Sequence, residues 1–292
     1  MSYPEYNAPA TLDEALATLG QAAGDVIIIA GGTDLLPRIR AGAKNPRLLL
    51  DLKRLDLAGI RQDDNFLYLG AQLTHTQVLE SKLLMGEFPA LVAACRVIGG
   101  PSIRNRGTLG GNLVNASPAA DTAPPLLVYN ADLLLVKESG RRWLPLDEFF
   151  LGPGQTALAK DEIVKEIRLP LSSEASAAVF MKLGKRQAMA IAVVSVAARL
   201  TINHNEQVDQ ARIALGSVAP RPIRATAAEN LLRGRALNES LITEAALMAA
   251  GESSPITDIR ASSEYRRRMV EIFVRRTLTS AWQLLQAEGA HD

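Results

Sequence analysis

Ile27-Ile28-Ile29-Ala30-Gly31-Gly32-Thr33-Asp34-Leu35-Leu36 is the stretch whose reading decides the fold. Three β-branched residues read as a short buried strand, and two glycines then break it. Thr33 or Asp34 is placed to cap a helix opening at Leu35, with Pro37 tolerated in its first turn. A strand running through Gly-Gly into a helix start leaves several N–H groups unpaired and pointing one way. That arrangement suits a phosphate or pyrophosphate. The same residues also read as a plain tight turn, and the segment alone leaves both readings open. A second copy of the device, Thr108-Leu109-Gly110-Gly111-Asn112, shifts the balance toward a ligand.

Working outward, 12–19 reads as an amphipathic helix capped by Thr11, and 26–30 as the strand before the first Gly-Gly. A helix through Arg40 is closed by Gly42, and 48–52 is the next strand. These make a βαβ-like opening unit of about fifty residues. Strand structure restarts at 66–70. Thr74 caps a helix running to about Met85, and Pro89 opens another that stops at Gly99-Gly100-Pro101. Residues 102–114 are glycine-punctuated and read as a loop with a strand end. Asp121 or Thr122, followed by Pro124-Pro125, starts a helix through Tyr129. Segments 133–137 and 142–146 read as a hairpin, 163–169 as a strand, and 170–174 as a boundary. Beyond it lie three strands (179–183, 191–202, 210–217) and three helices (near 225–233, 239–250 and 264–287). The expected class is α+β.

Composition narrows the function. The 292 residues are 48% hydrophobic and 22% charged, with a net charge of +1, so no steering toward nucleic acid or membrane follows. Arg141-Arg142 and Arg266-Arg267-Arg268 read as solvated faces or subunit contacts. The single cysteine, Cys95, sits in an apolar run and reads as a core residue. His75, His204 and His291 are far apart, with no metal-ligand spacing. No leader pattern or apolar run of spanning length is present, so the expectation is a cytoplasmic chain with no membrane span, no bound metal and no nucleic-acid partner.

The chemistry-bearing residues gather around the second device. Gly110-Gly111 lets a backbone approach a ligand closely, and Thr108 and Asn112 supply side-chain donors beside it. Asp121 suits sugar hydroxyls or simply caps the next helix. Neither glycine pair matches G-x-x-x-x-G-K-[ST] or G-x-G-x-x-G. No catalytic constellation stands out, and Asp161, Glu162 and Glu166 read as solvated. The residues point to a diphosphate-containing ligand that carries the reactivity itself.

Ala30-Gly31-Gly32-Thr33-Asp34-Leu35-Leu36 together with Arg104-Asn105-Arg106-Gly107-Thr108-Leu109-Gly110-Gly111-Asn112 resembles the FAD-binding medium subunit of the molybdenum hydroxylases. That family includes xanthine dehydrogenase, aldehyde oxidoreductase and aerobic carbon monoxide dehydrogenase. The likeness extends over Asn115-Ala116-Ser117-Pro118-Ala119-Ala120-Asp121, over Asp161-Glu162-Ile163-Val164 and to Lys182. It implies a two-part FAD-binding domain of the PCMH/vanillyl-alcohol-oxidase-like type at 1–174, with subdomains of about 1–55 and 56–174. A C-terminal flavoprotein domain at 175–292, a three-stranded antiparallel sheet with helices, would follow.

By the same resemblance, Ala30, Gly31, Gly32, Thr33, Asp34 and Leu35 would wrap the FAD pyrophosphate with Thr108, Leu109, Gly110, Gly111 and Asn112, through backbone N–H groups. Asp121 would lie on the ribose or adenine side, Val164 would meet the cofactor by its backbone, and Lys182 would sit near the isoalloxazine ring. Lys182 also reads as an ordinary surface lysine on a strand. The implied partners are a small subunit with two [2Fe–2S] clusters and a large molybdenum-cofactor subunit, assembled as a dimer of heterotrimers. Electrons would pass from the clusters to FAD here and on to an external acceptor. Ile98 stands where some members have a flavin-stacking aromatic, and 182–191 has no aromatic. Having Cys95 alone separates the chain from the 4-hydroxybenzoyl-CoA reductase type, which inserts a cysteine-bearing loop. A stand-alone FAD oxidoreductase and a nucleotide-binding interaction module are the other classes the residues allow.

Overall fold

Runs of β-branched and leucine residues without polar alternation form strands buried on both faces, and the described residues make three sheets of three or more strands around them, besides the two-stranded pair Phe150–Gly152 and Gln155–Thr156. The computed structural model describes residues 4–21, 25–172 and 174–289. His291, and Ser173 of the 170–174 boundary, lie outside them. The first sheet is parallel, with strand Leu48–Asp51 between Glu5–Asn7 and Val26–Ile29. Helix Leu12–Gln21 packs Ala15, Leu16 and Leu19 onto it, and the Thr11 hydroxyl accepts from the Glu14 N–H at its start.

The second sheet is antiparallel, in the order Ile60–Gln62, Phe66–Gly70, Ile163–Pro170, Asp132–Lys137, Gly140–Pro145. Its Asp132–Lys137 strand shows why the hydrophobic run is continuous. Leu133 and Leu135 enter a central core with the helices of 75–128, whereas Leu134 and Val136 pack against the first layer.

The third sheet, also antiparallel, runs Ser176–Leu183, Val194–Ile202, Val208–Gly216, Ile223–Arg224; the last adds a short fourth strand to the three read from sequence. It too serves two cores. Phe180, Ala197 and Ala214 join the central core, while Val194, Val196, Ala198 and Leu200 face helices Thr226–Leu232, Glu239–Glu252 and Ser263–Gly289. The long last helix buries Val270, Val274, Leu278, Ala281 and Leu285 at helical spacing.

Four readings need correction. Residues 102–114 are mostly two short helices, Pro101–Arg104 and Leu109–Val114; only 105–108 between them is a loop, ending in a bridge from Thr108 to Thr74. The helix from Thr74 breaks at Ser81, whose side chain caps a separate helix, Lys82–Glu87. Glu162 is buried, because Arg142 grips it through two bonds of 2.8 and 2.9 Å across the sheet edge. Arg266, in the supposedly solvated Arg266-Arg267-Arg268 cluster, is only 3% exposed. It donates to the Val193 and Ser217 carbonyls at 2.8 and 3.0 Å and to Asp258 at 2.7 Å. Arg266→Met should therefore lower stability by about 3 kcal/mol in urea unfolding, since it orphans two buried carbonyls and removes one charged partner of Asp258, which keeps Arg260. A loss under about 1 kcal/mol would show that these bonds are replaced by water.

Candidate cofactor site

The strand Val26–Ile29 ends in register with Asp51, and the chain turns through residues 30–34 into helix Leu35–Arg40. Gly32 has φ +71°, a conformation glycine adopts without strain. Asp34 occupies the N-cap position but makes no capping bond; its carboxylate pairs with Arg38 at 2.9 Å instead. The expected side-chain cap is thus missing. Among the described residues nothing accepts from the N–H groups of Gly31, Gly32, Thr33 or Asp34, and Leu35 opens the helix beside them. Four free amides at one turn carry partial positive charge with nothing to spend it on.

The second device is built differently. The Leu109 N–H donates to the Leu73 carbonyl at 2.9 Å and the Gly110 N–H to Ala71 at 2.8 Å. The Thr108 hydroxyl caps the helix by accepting from Gly111, and the Asn112 N–H bonds the Thr108 carbonyl. These four amides are occupied within the chain, so the expected wrapping of a diphosphate through them does not match their bonding. What the device offers is close approach. A Cβ on Gly110 would stand 2.8 Å from both the Cβ and the carbonyl oxygen of Ala71. Gly111 is exposed, and the Asn112 side chain accepts from the Thr122 hydroxyl at 2.6 Å.

The structure joins the two devices. A Cβ on Gly31 would collide with the carbonyl oxygen of Arg106 and lie 2.7 Å from its carbon. Residues some seventy-five apart in sequence thus form one surface, which only the missing side chain permits. Beneath it, His75 is buried against Gly107, with its Nδ1 3.6 Å from the Cys95 Sγ. Burial first, then the nearby Arg104 charge, lowers the His75 pKa to about 4. His75 is therefore a neutral core group, and Cys95 packs as its sequence context implies. Among the described residues, no three His, Cys, Asp or Glu side chains converge as metal ligands.

From Thr122 the surface continues to Asp121. That residue does not cap helix Ala123–Val128; its Oδ2 accepts from Lys182 Nζ at 2.6 Å, and Lys182 also donates to the Val97 carbonyl at 3.2 Å. Both side chains are under a tenth exposed, so Lys182 is not a surface lysine. Burial raises the Asp121 pKa to about 6 against the pull of Lys182. Its other oxygen, Oδ1, is buried with no partner among the described residues. The resemblance placed Asp121 and Lys182 at different parts of the cofactor, whereas they form a single ion pair. Val164 lies in the central core beside Leu109 and Leu113, and the carbonyl of its neighbour Lys165 accepts from the Ala71 N–H. Around Val97, Met189 and Ile191 are more than half exposed, and the Met189 side chain comes near Gly100. Met189 has a φ of +54°, and its carbonyl accepts from Arg186.

The arrangement suits a dinucleotide: free amides for a diphosphate, a buried orphan acceptor for a hydroxyl or N–H, and apolar side chains for a ring. Comparisons with known proteins agree. Residues 2–172 match the family model for the FAD binding domain in molybdopterin dehydrogenase, and 179–281 that for the CO dehydrogenase flavoprotein C-terminal domain. The carbon monoxide dehydrogenase medium chain of Hydrogenophaga pseudoflava is 33% identical over 95% of this chain and 96% of its own. A putative xanthine dehydrogenase FAD-binding subunit of Escherichia coli K12 is 32% identical over 96% of both. Solved structures agree as well. Carbon monoxide dehydrogenase from H. pseudoflava matches with a TM-score of 0.93 at 33% identity, covering 97% of this chain and 98% of that one. Quinoline 2-oxidoreductase from Pseudomonas putida 86 gives 0.91 at 29% identity, covering 97% and 98%.

Proposed function

The chain belongs to the FAD-binding flavoproteins of the molybdopterin dehydrogenases, and from that premise we propose how its own residues hold and serve the cofactor. As a member of that family it is an oxidoreductase subunit. In this reading FAD supplies the redox chemistry, taking electrons from two [2Fe–2S] clusters on a small partner and yielding them to an external acceptor. A large partner carries the molybdenum cofactor and the substrate pocket. A dimer of such heterotrimers and a cytoplasmic location complete the proposal, as do the boundaries 1–174 and 175–292.

The contact of Gly31 with Arg106 carries this reading, because it turns two separate loops into one cleft floor. The amides of Gly31, Gly32, Thr33 and Asp34 would face the diphosphate, with Ala30 and Leu35 framing them. Thr108, Gly110, Gly111 and Asn112 would let the diphosphate lie close to the backbone, with Leu109 anchoring that helix beneath, and Val164 would support the same wall. The Asp121 Oδ1 would accept from a cofactor hydroxyl or ring N–H. Lys182 would set the electrostatics near the ring, but only as half of a dipole. A carboxylate at 2.6 Å cancels most of the ammonium's distant field.

Flavin absorbance of the purified chain, and its bleaching when the assembled complex meets its substrate, test the proposal. We expect close to one FAD per chain and bleaching only with the partners present. Steady turnover by the isolated chain would instead favour a stand-alone oxidoreductase. Bound flavin that the assembled complex never reduces would favour an interaction module.

A further inference from the structure

We propose that the chain binds a small oxyanion of the phosphate class in a second site, at the opposite end of the C-terminal sheet from Lys182. On one face of that sheet the cross-strand pairs run Ser195–Gly216, Ala197–Ala214, Arg199–Arg212 and Thr201–Gln210. Lys182 stands beside Ser195. Arg199 is four residues further along, roughly 13 Å at the rise of a strand. The face is apolar in the middle, where helix Ala123–Val128 covers it, and turns basic just past that helix.

Arg199 and Arg212 are directly opposed, and like charges so placed repel. Arg224, in register with Ala214, adds a third guanidinium on the diagonal. Of the three, among the described residues, only Arg224 is paired to a carboxylate, Glu229, through two bonds of 2.5 Å, while Arg199 stands 6.0 Å from the centre of the Tyr129 ring. Arg199 bonds the Ser176 hydroxyl, and Arg212 bonds only Gln210 Oε1, at 3.2 Å. Among the described residues neither has a carboxylate within ion-pair distance. Glu174 lines the same space, beyond ion-pair distance of either arginine, though its charge favours the charged form of Arg199. Burial first, then Arg224 and Arg199, lowers the pKa of Arg212 to about 10. The nearby helix end does not relieve the crowding. Its carbonyls at Pro125, Leu126 and Leu127 already accept from Tyr129, Ala131 and Asn130.

The two arginines wall a cavity of about 170 Å³ whose other lining includes Asn130, Ser172, Thr201 and Gln210. Asn130 is held at φ +53°, and Arg224 reaches towards its side-chain oxygen. That volume is below the 300–1,000 Å³ typical of organic-ligand pockets yet holds several waters. Guanidinium forks ringed by hydroxyls and amides are the donor set for phosphate or sulfate. A bound dianion would reverse the arginine repulsion.

The test is thermal unfolding of the full chain at pH 7 with inorganic phosphate against chloride at equal ionic strength. We expect a saturable, phosphate-specific rise in Tm of roughly 3 °C at tenfold the half-saturating concentration. Arg212→Gln should abolish that rise, keep its flavin absorbance, and in chloride melt at or above the wild type, because it relieves the opposed pair. Arg212→Lys should keep part of the rise. A phosphate response equal in Arg212→Gln and wild type, or no phosphate-specific response at all, overturns the proposal. So does ³¹P line broadening seen with the isolated chain but lost in the assembled complex, which would assign the arginines to a partner's carboxylate.

Discussion

Gly31→Val is expected to strip FAD from the purified chain while the C-terminal helices and sheet stay folded. The reason is geometric. The new Cβ would overlap the Arg106 carbonyl, and that obstacle is backbone rather than a side-chain tip that can swing away. The turn at 30–34 must lift off 106–107, carrying four amides away from the surface they share. Losing two charge-assisted bonds to a diphosphate should weaken FAD binding at least about a hundredfold, or roughly 3 kcal/mol. The neighbouring glycines grade the effect. Gly110→Val meets Ala71 at 2.8 Å and should come second. Gly111→Val meets the Thr108 hydroxyl and mainly costs a helix cap, about 1 kcal/mol. The readout is the flavin-to-protein absorbance ratio after desalting, with far-UV circular dichroism as the folding control. Full flavin occupancy in Gly31→Val would refute a shared cleft floor.

Lys182→Met should be the most damaging change away from the loops, and its cost should depend on pH. Asp121 has a folded pKa of about 6, above its ordinary value of about 4. Below pH 4 it is protonated folded or unfolded and contributes nothing to the slope. As pH rises from about 4 to 6, the folded state holds the proton longer, so stability falls; above 6 the penalty is constant. Lys182 is the partner that pulls this pKa down. Removing it moves the Asp121 pKa higher and extends the falling limb upward. At pH 7 the variant should lose about 3–5 kcal/mol, the range for orphaning one partner of a buried pair. At pH 4 most of that loss should vanish. Asp121→Asn combined with Lys182→Met should recover much of it at neutral pH, as a double-mutant cycle would show. A cost that is the same at pH 4 and pH 7 would mean that Lys182 acts through packing alone.

Much of the fold was legible because hydrophobic period and turn chemistry are local. The strands at 26–29, 48–51, 66–70 and 163–170, the hairpin at 132–145 and the long last helix all announce themselves that way. What escaped depends on partners distant in sequence. The glycines at 107, 110 and 111 read as breakers, yet a helix starts there because Leu73 and Ala71 take its first amides. Glu162 looked solvated until sheet pairing set Arg142 beside it, and Arg266 until the chain returned with Asp258 and Ser217. The two glycine loops were legible, though not their contact, and the Asp121–Lys182 pair spans sixty-one residues, which no periodicity predicts. The resemblance singled out both residues, each for a different part of the cofactor; the bond between them comes from the geometry alone.

The C-terminal sheet, whose two faces fill two different cores, also limits how the molecule can move. A swing of the C-terminal half would pull Phe180, Ala197 and Ala214 out from among the helices of the first half. Such a displacement exposes apolar area at roughly 25 cal/mol per Å². Opening a hinge between the halves would therefore cost that shared burial, and the expected outcome is a single calorimetric unfolding transition. Segment 184–192 carries no helix or strand and contributes to neither core, being held instead by the Arg186 bond to the Met189 carbonyl.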